Sequence, residues 1–265
     1  MRPDSDFSRR KFIKAAGLSV FLPPVLAPVF PGTTANGGES DDSSPDLERI
    51  QGVLSQKEPA IWLFTGDSIT QGAKHTHGFR SYPEIFAERI RWELKRVRDL
   101  VVNTGISGNA TSHILGDFDW RVAQFKPAVV SLMIGTNDCA RKELTTAVFE
   151  QNLAMIVLKI RELGAIPILH TPSPILIQKA PERKTLPDYI PVIRRVAEDK
   201  KVILIDNYSH WQTTTDVDVN REWLNDPLHP GARGHQEIAR LMFKVVSIFD
   251  PQEPTCGGPY YEGEH

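Results

Sequence analysis

Residues 61–70 are Ile61-Trp62-Leu63-Phe64-Thr65-Gly66-Asp67-Ser68-Ile69-Thr70. The four apolar residues that open this stretch predict a buried strand, and the glycine two positions later predicts a turn. Ser68 would then lie where the strand passes into a helix, with its hydroxyl and the first backbone N–H groups of the helix facing one cleft. The stretch therefore favours an α/β fold with a polar site at the end of its first strand.

The same alternation of apolar runs and amphipathic stretches continues along the chain. Short apolar runs predict five buried strands, at 61–65, 100–103, 128–134, 166–170 and 202–205. Helical spacing occurs at 82–98, 111–125, 144–163, 187–199 and 231–249. Strands interleaved with helices predict a three-layer, flavodoxin-like α/β sandwich, in which a five-stranded parallel sheet carries helices on both faces. Sites in such folds form beyond the carboxyl ends of the strands.

A second polar motif, Asp226-Pro227-Leu228-His229, precedes the last predicted helix. A serine hydroxyl is a poor nucleophile at neutral pH, and it becomes effective when a histidine takes its proton and a carboxylate orients that histidine. The two motifs supply Ser68, His229 and Asp226 for these roles, which predicts nucleophilic acyl transfer. The alternative is that Ser68 only caps a helix, while Asp226 is a turn aspartate and His229 a surface histidine.

Four blocks in the chain resemble those of the SGNH hydrolases, the GDSL esterase family, which carry Ser, Gly, Asn and His in this order. The resemblance covers roughly residues 59–249. The blocks are Gly66-Asp67-Ser68-Ile69-Thr70, Asn103-Thr104-Gly105-Ile106-Ser107-Gly108-Asn109, Gly135-Thr136-Asn137-Asp138 and Asp226-Pro227-Leu228-His229. Three of the blocks follow predicted strands, so they should converge on one sheet edge.

The resemblance also implies which groups stabilise the oxyanion of the tetrahedral intermediate. These are the backbone N–H groups of Ser68 and Gly108 and the side-chain amide of Asn137. Taken singly, Gly108 and Asn137 could equally be turn residues. Asp67 and Asp138, which also lie in the blocks, are expected to support the site by accepting backbone hydrogen bonds.

Two further motifs are given no catalytic role. The sequence Gly105-Ile106-Ser107-Gly108 resembles a G-x-S-x-G nucleophile elbow, but its spacing is wrong, so Ser107 is expected to be structural. His75 and His77, in the polar loop 73–80, could suggest a metal, but no carboxylate–histidine cluster accompanies them in the sequence. Substrate contact or solvent exposure is the favoured role for both.

Composition narrows the class of protein. The 265 residues carry a formal net charge of -2 and have a pI near 6.5, which gives no electrostatic basis for a nucleic-acid partner. Cys139 and Cys256 are expected to be two unpaired thiols, although an exported protein could join them. The predicted mechanism requires no metal or organic cofactor. The five tryptophans are expected to pack rather than to stack on sugars: Trp62, Trp92, Trp120, Trp211 and Trp223.

The N-terminus has the composition of a targeting segment. Ser8-Arg9-Arg10-Lys11-Phe12-Ile13-Lys14 resembles a bacterial twin-arginine export signal, and a modestly apolar stretch too short for a stable membrane span follows it. We therefore expect an export signal over 1–35, recognition by the twin-arginine export machinery, and a periplasmic or extracellular protein. A disordered linker at 36–58, a hydrolase domain at 59–249 and an irregular tail at 250–265 complete the predicted organisation.

The substrate is less constrained than the chemistry. Members of the resembled family cleave acetyl groups from carbohydrates, acyl chains from lipids, and thioesters. The polar loops beside the blocks, and the absence of a long apolar insertion, favour a short acyl group, such as acetyl, on a carbohydrate or other polar alcohol. The alternatives are a lipolytic esterase or lysophospholipase and, from another class, a non-catalytic carbohydrate-binding protein on the same scaffold.

Overall fold

Five parallel strands form one sheet in the order β2-β1-β3-β4-β5. The computed structural model describes residues 45–72 and 74–258, so the export signal predicted for 1–35 lies outside the described residues. The strands are β1 (Ile61–Gly66), β2 (Leu100–Asn103), β3 (Val129–Met133), β4 (Ile166–Thr171) and β5 (Ile203–Asp206). Each predicted strand is present, with ends that differ by no more than one residue. The predicted parallel sheet is confirmed.

Helices cover both faces of this sheet. They are α1 (Pro45–Ser55), α2 (Ser68–Gln71), α3 (Tyr82–Glu88), α4 (Thr111–Gly116), α5 (Phe118–Arg121), α6 (Thr146–Glu162), α7 (Leu186–Asp199), α8 (Asn207–Thr213), α9 (Val219–Glu222) and α10 (Ala232–Val245). A π-helical turn, Arg89–Glu93, extends α3, and short 3₁₀ turns link several other elements. The predicted three-layer sandwich is confirmed.

The pleat of the strands divides the apolar side chains between two cores. In β1, Trp62 and Phe64 pack against α1, α3 and α10, whereas Leu63 packs on the opposite side against α4 to α7. In β3, Val129 belongs to the first core and Val130 to the second. Successive strand side chains point to opposite faces, so runs that are apolar on both faces fit a sheet covered on both sides.

The linker predicted at 36–58 is wrong for residues 45–55, which form α1. The apolar residues of this helix recur at helical spacing, and Ile50 is fully buried in the first core. Asp46 is also buried, and Arg161 of α6 donates to its carboxylate at 2.7 Å. The linker was predicted because Gly, Ser, Asp and Pro are abundant in the surrounding sequence. This composition does not show a short helix that is stable only when it packs against the rest of the domain.

The predicted helices at 82–98 and 111–125 are shorter in the structure. The first is α-helical only over Tyr82–Glu88 before its π-turn, and the second is divided into α4, α5 and a 3₁₀ turn, Ala123–Phe125. Within the part of the chain that the structure describes, none of the helices combines the length and apolarity needed to traverse a lipid bilayer.

The predicted irregular tail packs against the domain where it is described. A 3₁₀ turn, Pro254–Cys256, lies beside α10, and Thr255 donates from its N–H to Glu93 at 3.0 Å. Cys139 and Cys256 are both buried free thiols, as expected. Trp62, Trp211 and Trp223 pack in the interior. The packing role is wrong for Trp92 and Trp120, which are 69% and 65% exposed.

Candidate active site

The turn after β1 presents Ser68 at the carboxyl edge of the sheet. Asp67 is the N-cap of α2, and Ser68 is the first helical residue, at a helix end whose backbone N–H groups have no intrahelical partner. Gly66 has a φ of 156°, and a Cβ at this position would lie 2.2 Å from the carbonyl oxygen of Met133 on β3. A glycine is therefore required for the chain to turn this closely against the neighbouring strand.

The side chain of Asp67 stabilises this turn. Its Oδ1 accepts a hydrogen bond from the Ile69 N–H at 2.9 Å, and the residue is 1% exposed. Burial raises the pKa of Asp67 to about 7, although the Ile69 N–H favours the charged form. Asp138, also buried, accepts from the N–H and hydroxyl of Thr111 at 2.9 and 2.6 Å, which fixes the start of α4.

A tight loop between α9 and α10 carries Asp226 and His229. The Oδ1 atom of Asp226 accepts from the N–H groups of Leu228 and His229, each at 2.8 Å. Partial burial opposes ionisation of Asp226, but these two N–H groups and the His229 imidazole outweigh it and hold the pKa of the carboxyl below its usual value. Asp226 is therefore a carboxylate at neutral pH.

Ser68, His229 and Asp226 lie in one hydrogen-bonded line. The Oγ atom of Ser68 is 2.9 Å from Nε2 of His229, and Nδ1 of His229 is 2.9 Å from Oδ2 of Asp226. In this geometry His229 can carry its proton on Nδ1, held by Asp226, and accept the Ser68 proton on Nε2. The arrangement can generate a serine alkoxide at the moment of attack on a carbonyl carbon.

The residues expected to stabilise an oxyanion line the same cavity as Ser68. Asn137 is 8% exposed, and its Nδ2 donates to the backbone oxygen of Asn109 at 3.1 Å. Its contact with Asp67, at 3.5 Å, is at the outer limit of a hydrogen bond, which leaves amide donor capacity at the cavity wall. Gly108 has a φ of 77°, a conformation that disfavours a side chain.

The cavity has a volume of about 380 Å³. Among the described residues that line it, most are polar or basic, and Leu228 is the one apolar side chain. The lining residues are Ser68, Lys74, His75, Ser107, Gly108, Thr136, Asn137, Arg183, Leu228 and His229. Ser107 donates two hydrogen bonds to Oε1 of Gln71, from its hydroxyl at 2.6 Å and from its N–H at 2.8 Å. These bonds are consistent with a structural role for Ser107.

Sequence reasoning missed two arginines whose hydrogen bonds hold the loops at the carboxyl edge of the sheet in place. Arg183 donates from Nη2 to Asn137 Oδ1 and from Nε to the Thr136 carbonyl oxygen, both at 3.1 Å, and also pairs with Glu182. It lies in a 3₁₀ turn between β4 and α7, outside every block, and carries no sequence signal.

The second missed arginine is Arg121, which is fully buried in α5. Its guanidinium donates to Asn109 Oδ1 at 2.6 Å, to the Gly66 carbonyl oxygen at 3.0 Å and to the Thr104 carbonyl oxygen at 2.8 Å. One side chain thereby joins the ends of β1 and β2 to the loop that carries Gly108. No sequence signal distinguishes it, because the charged residues Asp117 and Asp119 stand beside it in the same stretch.

His75 lines the cavity, but the expectation that no carboxylate–histidine cluster accompanies it is wrong. Its ring stacks on that of His229, with centroids 3.4 Å apart and planes 5° apart, and its Nδ1 is 3.3 Å from Oδ2 of Asp226. His77, in contrast, is exposed, and its Nε2 is 2.6 Å from Oδ1 of Asn225. A carboxylate–histidine cluster is therefore present at His75 after all, formed by residues distant in the sequence.

His75, Asp226 and His229 are the one group of His, Cys, Asp and Glu among residues 45–72 and 74–258 close enough together to hold a metal ion. Both ring nitrogens of His229 already lie within hydrogen-bond distance of Asp226 and Ser68. The cluster as it stands is thus arranged for proton transfer rather than for metal coordination.

Comparison with known proteins gives a consistent result. The model of the GDSL-like lipase/acylhydrolase family matches residues 64–237. An acetylxylan esterase from Geobacillus stearothermophilus is 27% identical over 204 residues, which are 70% of this chain and 93% of that protein. A solved structure of a catalytic mutant of Axe2, an acetylxylan esterase from the same species, is also similar, with a TM-score of 0.59 and 25% identity. The match covers 72% of this chain and 96% of that chain.

Two uncharacterized proteins are also similar. The lipoprotein YqeF of Bacillus subtilis (strain 168) is 28% identical over 171 residues, which are 55% of this chain and 70% of that protein. A Mycoplasma pneumoniae protein is 35% identical over 125 residues, which are 46% of this chain but only 13% of that protein. The chain belongs to the GDSL-like lipase/acylhydrolase family, the SGNH hydrolases, and is a carboxylic ester hydrolase.

Proposed function

We propose that this esterase removes short acyl groups, acetyl above all, from a carbohydrate or other polar alcohol, with Ser68 as the nucleophile. The observation that carries the chemistry is the continuous line of short contacts from Ser68 through His229 to Asp226. It is the arrangement that a serine nucleophile and its general base require.

The reaction proceeds in two halves. Ser68 Oγ attacks the ester carbonyl carbon while its proton passes to Nε2 of His229, and Asp226 stabilises the resulting imidazolium. The oxyanion is held by the N–H groups of Ser68 and Gly108 and by the Asn137 amide. The C–O bond to the alcohol breaks, and His229 returns the proton to the leaving oxygen. Water, deprotonated by His229, then attacks the acyl-enzyme and releases the acid and free Ser68.

The polar lining of the cavity favours a substrate that carries a short acyl group. A long acyl chain needs a continuous apolar surface to leave water, and Leu228 is the one apolar side chain among the described residues that line the cavity. Its charged and polar groups suit the hydroxyls of a sugar. The similarity to acetylxylan esterases points the same way.

The test is hydrolysis of p-nitrophenyl esters from acetyl to lauroyl by the full chain and its Ser68→Ala variant. Activity confined to acetyl and propionyl, and abolished in the variant, is the expected result. Activity that rises with acyl length would instead identify a lipolytic esterase or lysophospholipase. If neither protein turned over any ester and both bound a glycan equally, a carbohydrate-binding role on the same scaffold would replace the proposal.

We further propose that the protein is exported through the twin-arginine route, on the strength of residues 8–14. The similarity to a lipoprotein is compatible with a location outside the cytoplasm. Fractionation of cells that express the full chain should find it beyond the inner membrane, and Arg9→Lys with Arg10→Lys should retain it inside. If the wild type and the double variant were distributed equally between the cytoplasm and the space beyond the inner membrane, this proposal would be wrong.

A further inference from the structure

The hydrogen bonds of His229 leave one degree of freedom of its ring weakly controlled. Its partners, Ser68 and Asp226, lie at opposite ring nitrogens and hold the ring along the line between them. These two contacts resist a tilt of the ring about that line only weakly. A planar group packed on the ring face restrains this tilt and helps to keep Nε2 aimed at the serine oxygen, which matters because small misalignments of reacting groups slow the reaction steeply.

His75 supplies that planar group. Its ring lies 3.4 Å from the His229 ring and is within 5° of parallel to it. Its side chain is only 11% exposed, and its Nδ1, 3.3 Å from Oδ2 of Asp226, makes this carboxylate a partner of both rings. The two histidines therefore share one face contact and one carboxylate.

The charge of His75 matters because His229 becomes positive during the reaction. A neutral ring against an imidazolium face is tolerated, whereas two stacked imidazolium ions repel each other. Burial, followed by the proximity of His229 and Lys74, lowers the pKa of His75, while Asp226 acts against this. His235 of α10, whose pKa burial lowers to about 3, stays neutral beside the pair. Neutral His75 is thus the form present at neutral pH.

We propose that His75 is a positioning residue for the general base, which holds the His229 ring by stacking and which, once protonated, opposes the charge that His229 must take up. The proposal rests on the proposed function, because it assigns His75 a part only if His229 is the base. His75 acts through His229 and Asp226 and exchanges no proton with substrate.

The test compares His75→Ala, His75→Phe and a matched control, His77→Ala, which removes an exposed histidine two residues along the same loop. His75→Ala should lower kcat on the order of ten- to a hundred-fold with little change in KM. His75→Phe keeps a planar face and should retain kcat close to that of the wild type. His77→Ala should be unchanged.

The pH profile separates positioning from a merely structural role. Between about pH 4 and 7, the acid limb of log kcat/KM should be steeper by up to one proton in the wild type than in His75→Phe, because only the wild type has an ionisable ring at position 75. Asp67, whose pKa is about 7, titrates in both proteins and cancels in the comparison. Circular dichroism at each pH confirms that folding is retained.

Several results would overturn the proposal. These are equal slopes for the wild type and His75→Phe, equal losses of kcat in His75→Phe and His75→Ala, or a rise in KM alone, which would make His75 a substrate contact. If His75→Ala does not fold, His75→Phe carries the test. Full activity in Ser68→Ala would instead overturn the proposed function, whereas an inactive Ser68→Ala with a wild-type-like His75→Ala would overturn only the role of His75.

Discussion

Arg183 holds the side chain of Asn137 by a hydrogen bond from Nη2 to Oδ1, 3.1 Å long. The two residues are 46 positions apart and come from the turns after β4 and β3. Because the amide oxygen is held by a guanidinium, the amide nitrogen must face the other way, toward Asn109 and the cavity. The orientation of a proposed oxyanion donor thus depends on a residue outside the family blocks.

This relationship predicts the effect of removing Arg183. Arg183→Ala should lower kcat on the order of ten-fold while KM changes little, since a donor that is free to turn contributes less to the transition state than a fixed one. Steady-state kinetics on p-nitrophenyl acetate measure this. Glu182→Gln is the matched control, because it removes the exposed partner of Arg183 and should leave kcat unchanged. A loss of similar size in the control would show that the turn as a whole, rather than Arg183, is responsible.

Removal of the Asn137 amide should have a larger effect. Loss of one oxyanion donor typically costs on the order of a hundred- to a thousand-fold in kcat, and Asn137→Ala should fall in that range with its fold intact. Asn225→Ala, which removes an exposed amide next to the Asp226 loop, serves as the control. An unchanged rate in Asn137→Ala would exclude Asn137 from the mechanism.

Asp67 should make the stability of the protein depend on pH. Its pKa rises from 3.8 to about 7 on folding, so between these values the folded state binds more protons than the unfolded state, and stability falls as pH rises. Asp67→Asn keeps an oxygen for the Ile69 N–H and removes this titration. Urea unfolding at about pH 4.5 and about pH 7.5 measures the fall in the free energy of unfolding between these conditions. This fall should be smaller in the variant, by on the order of 1–4 kcal/mol. An identical decrease in both proteins would contradict the shifted pKa.

The two cysteines should be unreactive in the folded protein. Cys139 is 8% exposed and Cys256 2% exposed, and burial raises the pKa of Cys139 to about 12, so thiolate is scarce. Ellman's reagent should label neither thiol until denaturant is added and both afterwards. Rapid labelling of the native protein would show that one of these segments opens readily.

Chelation should leave the esterase active. Both ring nitrogens of His229 have partners in the hydrogen-bonded line, so proton transfer does not require a metal there. Activity on p-nitrophenyl acetate should be the same before and after EDTA treatment and dialysis. Loss of activity that a divalent ion restores would contradict this and would direct attention to His75, Asp226 and His229.

The strands and the convergence of the family blocks were predictable because each is a local property of the chain. A run that is buried on both faces is apolar at nearly every position, so β1 and β3 are visible in the sequence. The parallel sheet then brings their carboxyl ends to one edge, which is why Ser68 and Asn137 could be expected to share a cleft.

Helix α1 was not predictable from composition, because a short amphipathic helix is stable only against a partner that covers its apolar side. Ile50 finds this partner in the first core, and Asp46 finds it in Arg161. The helical spacing of the apolar residues in 45–55 is short and lies among polar and turn-forming residues, so it did not distinguish a helix from a linker.

The amino-acid sequence by itself determined the five strands, the family blocks and the identity of the residues that can perform acyl transfer. Only the tertiary structure decided that His75 lies on the face of His229, that Arg183 turns Asn137, and that Arg121 joins β1 to β2. Periodicity records which face of a segment is buried. It does not record which side chains meet when loops from distant parts of the chain come together at one sheet edge.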